Sequence, residues 1–202
     1  MYIQITDRCN MHCSHCGMNC TDKGEDMTIE TFRNALKYNN ESVTIGGGEP
    51  TIHPLFTQML FEAIGNSDYV WMATNGSQTE IALTLAKMAK KGVLGVALSQ
   101  DRYHGPIDIS VIDAFTKPQH QFCDDSPDGR EIRDVTDKEI KVGRCKDGRD
   151  GCICEDLIVR PDGTIRACGC ENAPSFGNVN AKVNIPENWE CGTCYKKQES
   201  RL

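Results

Sequence analysis

An α/β fold with a parallel sheet is what this 202-residue sequence predicts. Three observations carry that expectation. Four β-rich runs in the first half each lead into a stretch with apolar residues at helical spacing. The connections between runs are short, as in packed β–α units. Glycine-containing polar turns follow the second and third runs, where parallel sheets gather their ligands.

Tyr2-Ile3-Gln4-Ile5-Thr6 is β-rich and runs straight into a cysteine loop. Thr28 opens the first helix as N-cap, with Thr31 at the third helical position and Phe32, Ala35 and Leu36 as the apolar face. Ser42 to Ile45 is the second strand, ended by a glycine run. Leu55 to Ile64 is the second helix, turning Met59, Leu60 and Ile64 inward. Tyr69 to Ala73 is the third strand, and Glu80 to Lys91 the third helix, with Ile81, Leu85 and Met88 at helical spacing. Val93 to Ser99 is the fourth strand. Such β–α alternation needs helical crossovers between parallel neighbours. Beyond Ser99 the pattern weakens. Ile107 to Phe115 fits a further helix and Gln119 to Cys123 a short strand, while Asp124 to Asp150 is polar, charged and loop-like. Asp156 to Cys168 carries two β-rich runs around Pro161-Asp162-Gly163, the pattern of a hairpin.

Apolar residues make up 39% of the chain, enough for a real core in one domain or one with a small appendage. Net charge is −7, with no basic block. That argues against a protein that grips nucleic acid through its phosphates, without excluding a nucleotide-sized substrate. No repeat, low-complexity tract, signal peptide or membrane-spanning run is legible, so a cytoplasmic setting is expected. Twelve cysteines in a reducing compartment point to metal more than to disulfides.

Cys9, Cys13 and Cys16 are spaced C-x3-C-x2-C at the end of the first strand. So tight a loop can direct three thiolates at one face of a cubane, leaving its fourth iron without a protein ligand. A cluster built only for electron transfer takes four cysteines. By itself the triplet suits zinc as well, with Cys20, His12 or His15 as fourth ligand. Two further segments decide between them: Gly46-Gly47-Gly48-Glu49-Pro50 after the second strand, and Ala73-Thr74-Asn75-Gly76 after the third.

In this order the three segments resemble the radical S-adenosylmethionine (SAM) enzymes. The resemblance implies a partial (β/α) barrel, here trimmed, and a [4Fe–4S] cluster on Cys9, Cys13 and Cys16 whose open iron is chelated by the amino and carboxylate groups of SAM. Reductive cleavage of SAM would then yield a 5′-deoxyadenosyl radical that abstracts hydrogen from a substrate. Gly46, Gly47 and Gly48 would let the backbone approach the ligand. Backbone carbonyls and the Glu49 carboxylate would accept from the SAM ammonium. Asn75 lies at a strand end where parallel-sheet enzymes gather their ligands, and Ser99 and Asp101 stand where the family commonly holds the SAM ribose or carboxylate, although each residue type also caps strand–helix turns. Tyr103 and His104 would line the substrate pocket. His15 occupies the place of an aromatic ring beside adenine. Pro50 and His53-Pro54 would shape the loop into the second helix, and Cys20 would remain a plain thiol.

The last part of the chain holds Cys145, Cys152, Cys154, Cys168, Cys170, Cys191 and Cys194. Cys152 and Cys168 around the hairpin, with Cys191-x2-Cys194, resemble the Twitch/SPASM extensions that bind an auxiliary [4Fe–4S] cluster. Cys154 and Cys170 are alternative ligands, and a four-cysteine zinc knuckle shares the spacing. The expected organisation is a radical SAM core over 1–123, a linker over 124–144 and an auxiliary-cluster region over 145–202. The expected activity is that of a peptide or protein maturase, with a small-molecule substrate also open and a flavodoxin or ferredoxin as external reductant. A glycyl-radical activating enzyme and a non-catalytic zinc or iron–sulfur module are the rivals.

Overall fold

The computed structural model describes residues 1–38, 41–117, 127–136, 157–169 and 173–186. Strand β1 (Tyr2–Thr6), helix α1 (Ile29–Leu36), β2 (Ser42–Gly47), α2 (Phe56–Asn66), β3 (Tyr69–Thr74), α3 (Thr79–Lys90), β4 (Gly95–Ser99) and α4 (Ile109–Phe115) alternate as expected. Four further strands follow: β5 (Arg130–Arg133), β6 (Ile158–Val159), β7 (Thr164–Arg166) and β8 (Ser175–Asn178). They form one open sheet in the order β5-β4-β3-β2-β1-β6-β7-β8. Every pair from β5 to β6 is parallel, and β6–β7 and β7–β8 are antiparallel. An open α/β sheet of this kind is the partial barrel that was expected.

The register explains the two faces. Ile3 faces Ile45, Ile45 faces Met72, and Met72 faces Val96 across successive strands. With Ile5, Val43, Val70 and Leu98 they belong to one buried core that includes Phe32, Leu36, Met59, Leu60, Leu85 and Phe115 from the helices. Side chains alternate across a strand. The other face therefore carries Tyr2, Gln4, Thr6, Gly46, Trp71, Ala73 and Ser99, which are not core aliphatics.

Local rules account for most boundaries. Thr28 caps α1 by accepting from the Thr31 amide at 3.1 Å. Asp108 does the same for α4, accepting from Ser110 at 2.9 Å. Strand β2 runs to Gly47, two residues past the expected end, because its pairing with β1 continues into the glycines. Strand β4 begins at Gly95, two residues late. In α3 the buried stripe is Ala82, Leu85, Ala86 and Ala89, with Ile81 and Met88 only partly buried beside it. Large apolar side chains drew attention from the alanines that pack closest.

One correction and one placement concern the second half. The span expected to be a loop contains β5, paired with β4 from Val96↔Arg130 to Ser99↔Arg133. Its sequence, Arg-Glu-Ile-Arg, has no apolar alternation, so backbone pairing and one anchor hold it. Arg130 donates to both Asp128 oxygens (2.9 and 2.7 Å) and to the Ala114 carbonyl at 2.6 Å. Charged side chains are also what keeps an edge strand from pairing further. The hairpin continues the main sheet. Strand β6 pairs with β1 (Tyr2↔Ile158, Ile3↔Val159), and Val159, Ile165, Ala167, Cys168, Phe176 and Val179 join the main core. Its turn needs Gly163, which sits at φ +86°. The expected strand Gln119–Cys123 lies outside the described residues.

Candidate cofactor site at the strand ends

The cysteine loop is closed by its own backbone. Cys9 donates its amide to Thr21 O at 2.6 Å, and Thr21 donates to Asp7 O at 3.3 Å. Arg8 pairs with both oxygens of Asp26 (3.0 and 2.7 Å), and the Thr6 hydroxyl donates to Asp26 at 2.7 Å. Although partial burial pushes the Asp26 carboxyl up, these donors hold it below the usual range. Within the loop, Cys16 N donates to Cys13 O and Asn19, in the left-handed region at φ 54°, donates to Cys16 O.

Cys9, Cys13 and Cys16 converge enough to perturb one another. Burial, then the neighbouring Cys9 and Cys16, pushes the Cys13 thiol up to about 11. Three thiolates held together repel, and a bound metal group would offset that cost with its own positive charge. Among the described residues, the set of three metal-capable atoms within 4.8 Å of one another is His15, Asp101 and His104, not the cysteines. Tetrahedral zinc with Zn–S bonds of about 2.3 Å would draw its thiolates to about 3.8 Å apart. Cys9, Cys13 and Cys16 are not such a set, so the loop does not hold them at the mutual spacing of a tetrahedral zinc site.

The three glycines are required by the chain itself. A Cβ on Gly46 would strike the Tyr2 ring, one on Gly47 the Thr6 backbone, and one on Gly48 the Arg8 carbonyl and Cys9 Cβ. The β2 end thus lies directly against β1 and the cysteine loop. Glu49 then locks this corner from inside. Its carboxylate is buried (1% exposed). One oxygen accepts from Thr51 N (3.1 Å), Thr51 Oγ1 (2.5 Å) and Thr74 Oγ1 (2.8 Å); the other accepts from Asn75 N at 2.6 Å. Burial raises its pKa in spite of these donors. Asn75 reaches the cysteine loop, donating from Nδ2 to Asn10 Oδ1 at 3.0 Å with Cys9 Sγ 4.0 Å away.

Beyond β4, Asp101 is enclosed, its side chain 0% exposed. Burial pushes its carboxyl up, but His104 Nδ1 at 2.7 Å and the Tyr103 amide at 2.9 Å outweigh that and hold it low. Its second oxygen points toward His15 Nε2, 4.0 Å away. His15 stacks on Tyr103, ring centroids 4.4 Å apart. His53 is structural: Nδ1 accepts from Leu55 N and Nε2 bonds Met27 O, each at 3.0 Å.

All of these strand ends open on one cavity of about 320 Å³. Cys9, Cys13 and Cys16 line it, as do Gly46, Gly47, Gly48 and Glu49, and so do Asn75, Ser99, Asp101 and His104. Gly76 and Tyr103 are not among its lining residues. Tyr2, Met11, Met18, Trp71 and Arg133 line it without having been anticipated. Strand parity with Ser99 could have found Tyr2 and Trp71; Arg133 required knowledge of β5. Cys168 follows β7 and is buried (1% exposed). Cys145, Cys152, Cys154, Cys170, Cys191 and Cys194 lie outside the described residues.

Thiols, a glycine corner and polar strand ends around one cavity at the carboxyl edge of a parallel sheet define a cofactor-binding α/β protein. Residues 3–109 match the Radical SAM superfamily, more than half of the chain, and the chain belongs to that family. It is 31% identical over 78 residues to an S-adenosylmethionine-dependent nucleotide dehydratase of a Thermoplasmatales archaeon (strain ISO4-H5), covering 37% of this chain and 28% of that protein. It is 32% identical over 108 residues to the tungsten-containing aldehyde ferredoxin oxidoreductase cofactor-modifying protein of Pyrococcus furiosus, covering 50% of this chain and 30% of that one. The matched stretches span less than a third of either relative. Native anSMEcpe with bound AdoMet and Cp18Cys peptide superposes with a TM-score of 0.56 at 16% identity, over 90% of this chain and 77% of that one. The same protein with bound AdoMet and Kp18Cys peptide gives 0.54 at 15% identity, over 91% and 78%. At such identity the likeness is one of fold. Among the described residues, no helix is long and apolar enough to cross a membrane.

Proposed function

We propose that this chain holds a [4Fe–4S] cluster on Cys9, Cys13 and Cys16, binds SAM beside it and modifies a peptide or protein substrate. The convergence of the three thiols, the glycine corner and the ends of β3 and β4 on one cavity carries this reading. A cluster held there would supply the one electron for reductive cleavage of SAM and hence for taking a hydrogen atom from substrate. The chain's part is to position and to exclude water. Carbonyls of Gly46 to Gly48 and the less occupied oxygen of Glu49 would accept from an ammonium group. Ser99, Asn75 and Asp101 offer acceptors to a nucleoside, and Arg133 offers a planar donor to a carboxylate.

A second, auxiliary [4Fe–4S] cluster on Cys152, Cys168, Cys191 and Cys194 belongs to the same proposal, with Cys154 and Cys170 as alternative ligands. The expected reductant is a flavodoxin or ferredoxin and the expected compartment the cytoplasm, where thiols stay reduced. A peptide substrate is favoured by the fold shared with the peptide-bound anSMEcpe structures. A nucleotide substrate is the second reading, favoured by the 31% identity to the nucleotide dehydratase.

Anaerobic reconstitution with iron and sulfide, followed by iron analysis and assay of 5′-deoxyadenosine, tests the core of this. Each single alanine change at Cys9, Cys13 or Cys16 should abolish SAM cleavage. Cleavage that persists in the triple variant overturns the assignment. Deuterium transfer into 5′-deoxyadenosine from labelled peptide or labelled nucleotide separates the two substrate readings.

A further inference from the structure

Arg160 follows β6 and extends its guanidinium behind the cysteine loop. Nη1 donates to Gln4 Oε1 at 2.6 Å and reaches Met18 Sδ at 3.8 Å, while Nη2 donates to Gly169 O at 3.0 Å. All three acceptors are neutral, and among the described residues no carboxylate pairs with Arg160. Gln4 is fully buried and passes the contact on, its Nε2 lying 3.9 Å from Cys20 Sγ. Cys20 is itself buried and donates to Met18 O at 3.8 Å. Met18, which Arg160 also reaches, lines the same cavity as Cys16. One path therefore runs from Arg160 through Gln4, Cys20 and Met18 into the cysteine loop, and Gly169 places its other end one residue from Cys168.

A half-buried cation that meets only neutral acceptors among the described residues favours a negative charge arriving nearby. Three thiolates around an iron–sulfur cluster are such a charge. We infer that Arg160 is the positioning residue that supplies the positive charge for the cluster on Cys9, Cys13 and Cys16, raising its reduction potential through the Gln4–Cys20 contact. This rests on the cluster assignment proposed above. Net charge and hydrogen bonds to the sulfurs are what tune such potentials. The reduced cluster carries one more electron than the oxidised one, so a nearby cation stabilises it more. A unit charge on the order of 10 Å away, at an effective dielectric of about 20, shifts such an equilibrium roughly tenfold.

The test is a redox titration of the reconstituted full chain, followed by the EPR signal that added SAM perturbs. Arg160→Gln, which keeps hydrogen bonds but not charge, should lower the reduced-to-oxidised ratio about tenfold at fixed poise, or ~59 mV for one electron. Arg160→Lys, which keeps charge, should stay within about twofold of the parent. Gln4→Glu, which gives Arg160 a counter-ion at the same place, should lower the ratio in the same direction and is the second arm should the Arg160 variants not assemble. A parent-like titration for Arg160→Gln, or for Gln4→Glu where that arm decides, overturns the inference. So does Arg160→Lys falling as far as Arg160→Gln. A parent chain without a SAM-sensitive signal overturns the cluster assignment itself, and this inference with it.

Discussion

The backbone amide of Asn75 donates to the Glu49 carboxylate at 2.6 Å, so the loop after β2 and the end of β3 share one buried anion. Thr51 and Thr74 fill the other oxygen. Glu49 is thus a fastener of the cavity as well as a candidate acceptor for ligand. In Glu49→Gln the new NH₂ meets the Asn75 N–H, donor against donor. Stability should fall by about 1–3 kcal/mol, the cost of an unsatisfied buried donor. Cluster iron should be retained, while SAM affinity drops about tenfold. Urea unfolding, iron analysis and equilibrium binding read the three effects. Unchanged affinity with reduced stability would leave Glu49 a fastener only.

Gly48 and Gly65 make a matched pair. A methyl on Gly48 meets the Arg8 carbonyl and Cys9 Cβ, whereas one on Gly65 meets nothing within 4 Å. Gly48→Ala should therefore displace the cysteine loop and lower iron retention severalfold. Gly65→Ala, exposed in the last turn of α2, should raise stability by about 0.5–1 kcal/mol and leave iron unchanged. Denaturant midpoints and iron content of the two variants, measured side by side, check this.

The anchor of β5 should be acid-sensitive. Arg130 holds the Asp128 carboxyl down to about 2. A depressed carboxyl pKa stabilises the fold above its unfolded value near 3.8 and loses that effect as pH falls through the folded value. Asp128→Asn should cost about 1–2 kcal/mol at about pH 5–7. The gap to the parent should close between about pH 4 and 2. Unfolding of both proteins without metal across that range measures it. A gap independent of pH would mean that the pair is held by packing and not by charge.

Removing the proposed auxiliary metal should leave the hairpin intact. Strands β6 to β8 are hydrogen-bonded into the main sheet and buried in its core. Cys191→Ala/Cys194→Ala should therefore lose about four of roughly eight irons while amides of β6 and β7 remain protected from hydrogen exchange. A parent protein with about four irons and one zinc makes the knuckle a zinc site. Loss of protection in β6 would show that the metal, not the sheet, holds the hairpin.

Much of this protein was legible in its residues. β-rich runs and helical spacing located β1 to β4 and α1 to α4, because both signals are written in neighbouring residues. Cys9, Cys13 and Cys16, the run of Gly46, Gly47, Gly48 and Glu49, and Asn75 stood out because short motifs encode close approach and ligand chemistry locally. Three things were decided only in three dimensions. Strand β5 forms because a free sheet edge and the partners of Arg130, Asp128 and the Ala114 carbonyl, accept a charged segment, and both lie outside its own four residues. The hairpin joins the core because β1 has a second edge to fill, and Arg160 meets Gln4 there across 156 residues of chain. Glu49 and Gly48 serve the chain before any ligand because the β2 corner touches Thr74, Asn75 and Cys9, contacts that exist only once the strands lie side by side. Local pattern is set by what each residue prefers; which edge is filled and which anion is shared depends on neighbours that the chain brings from far away.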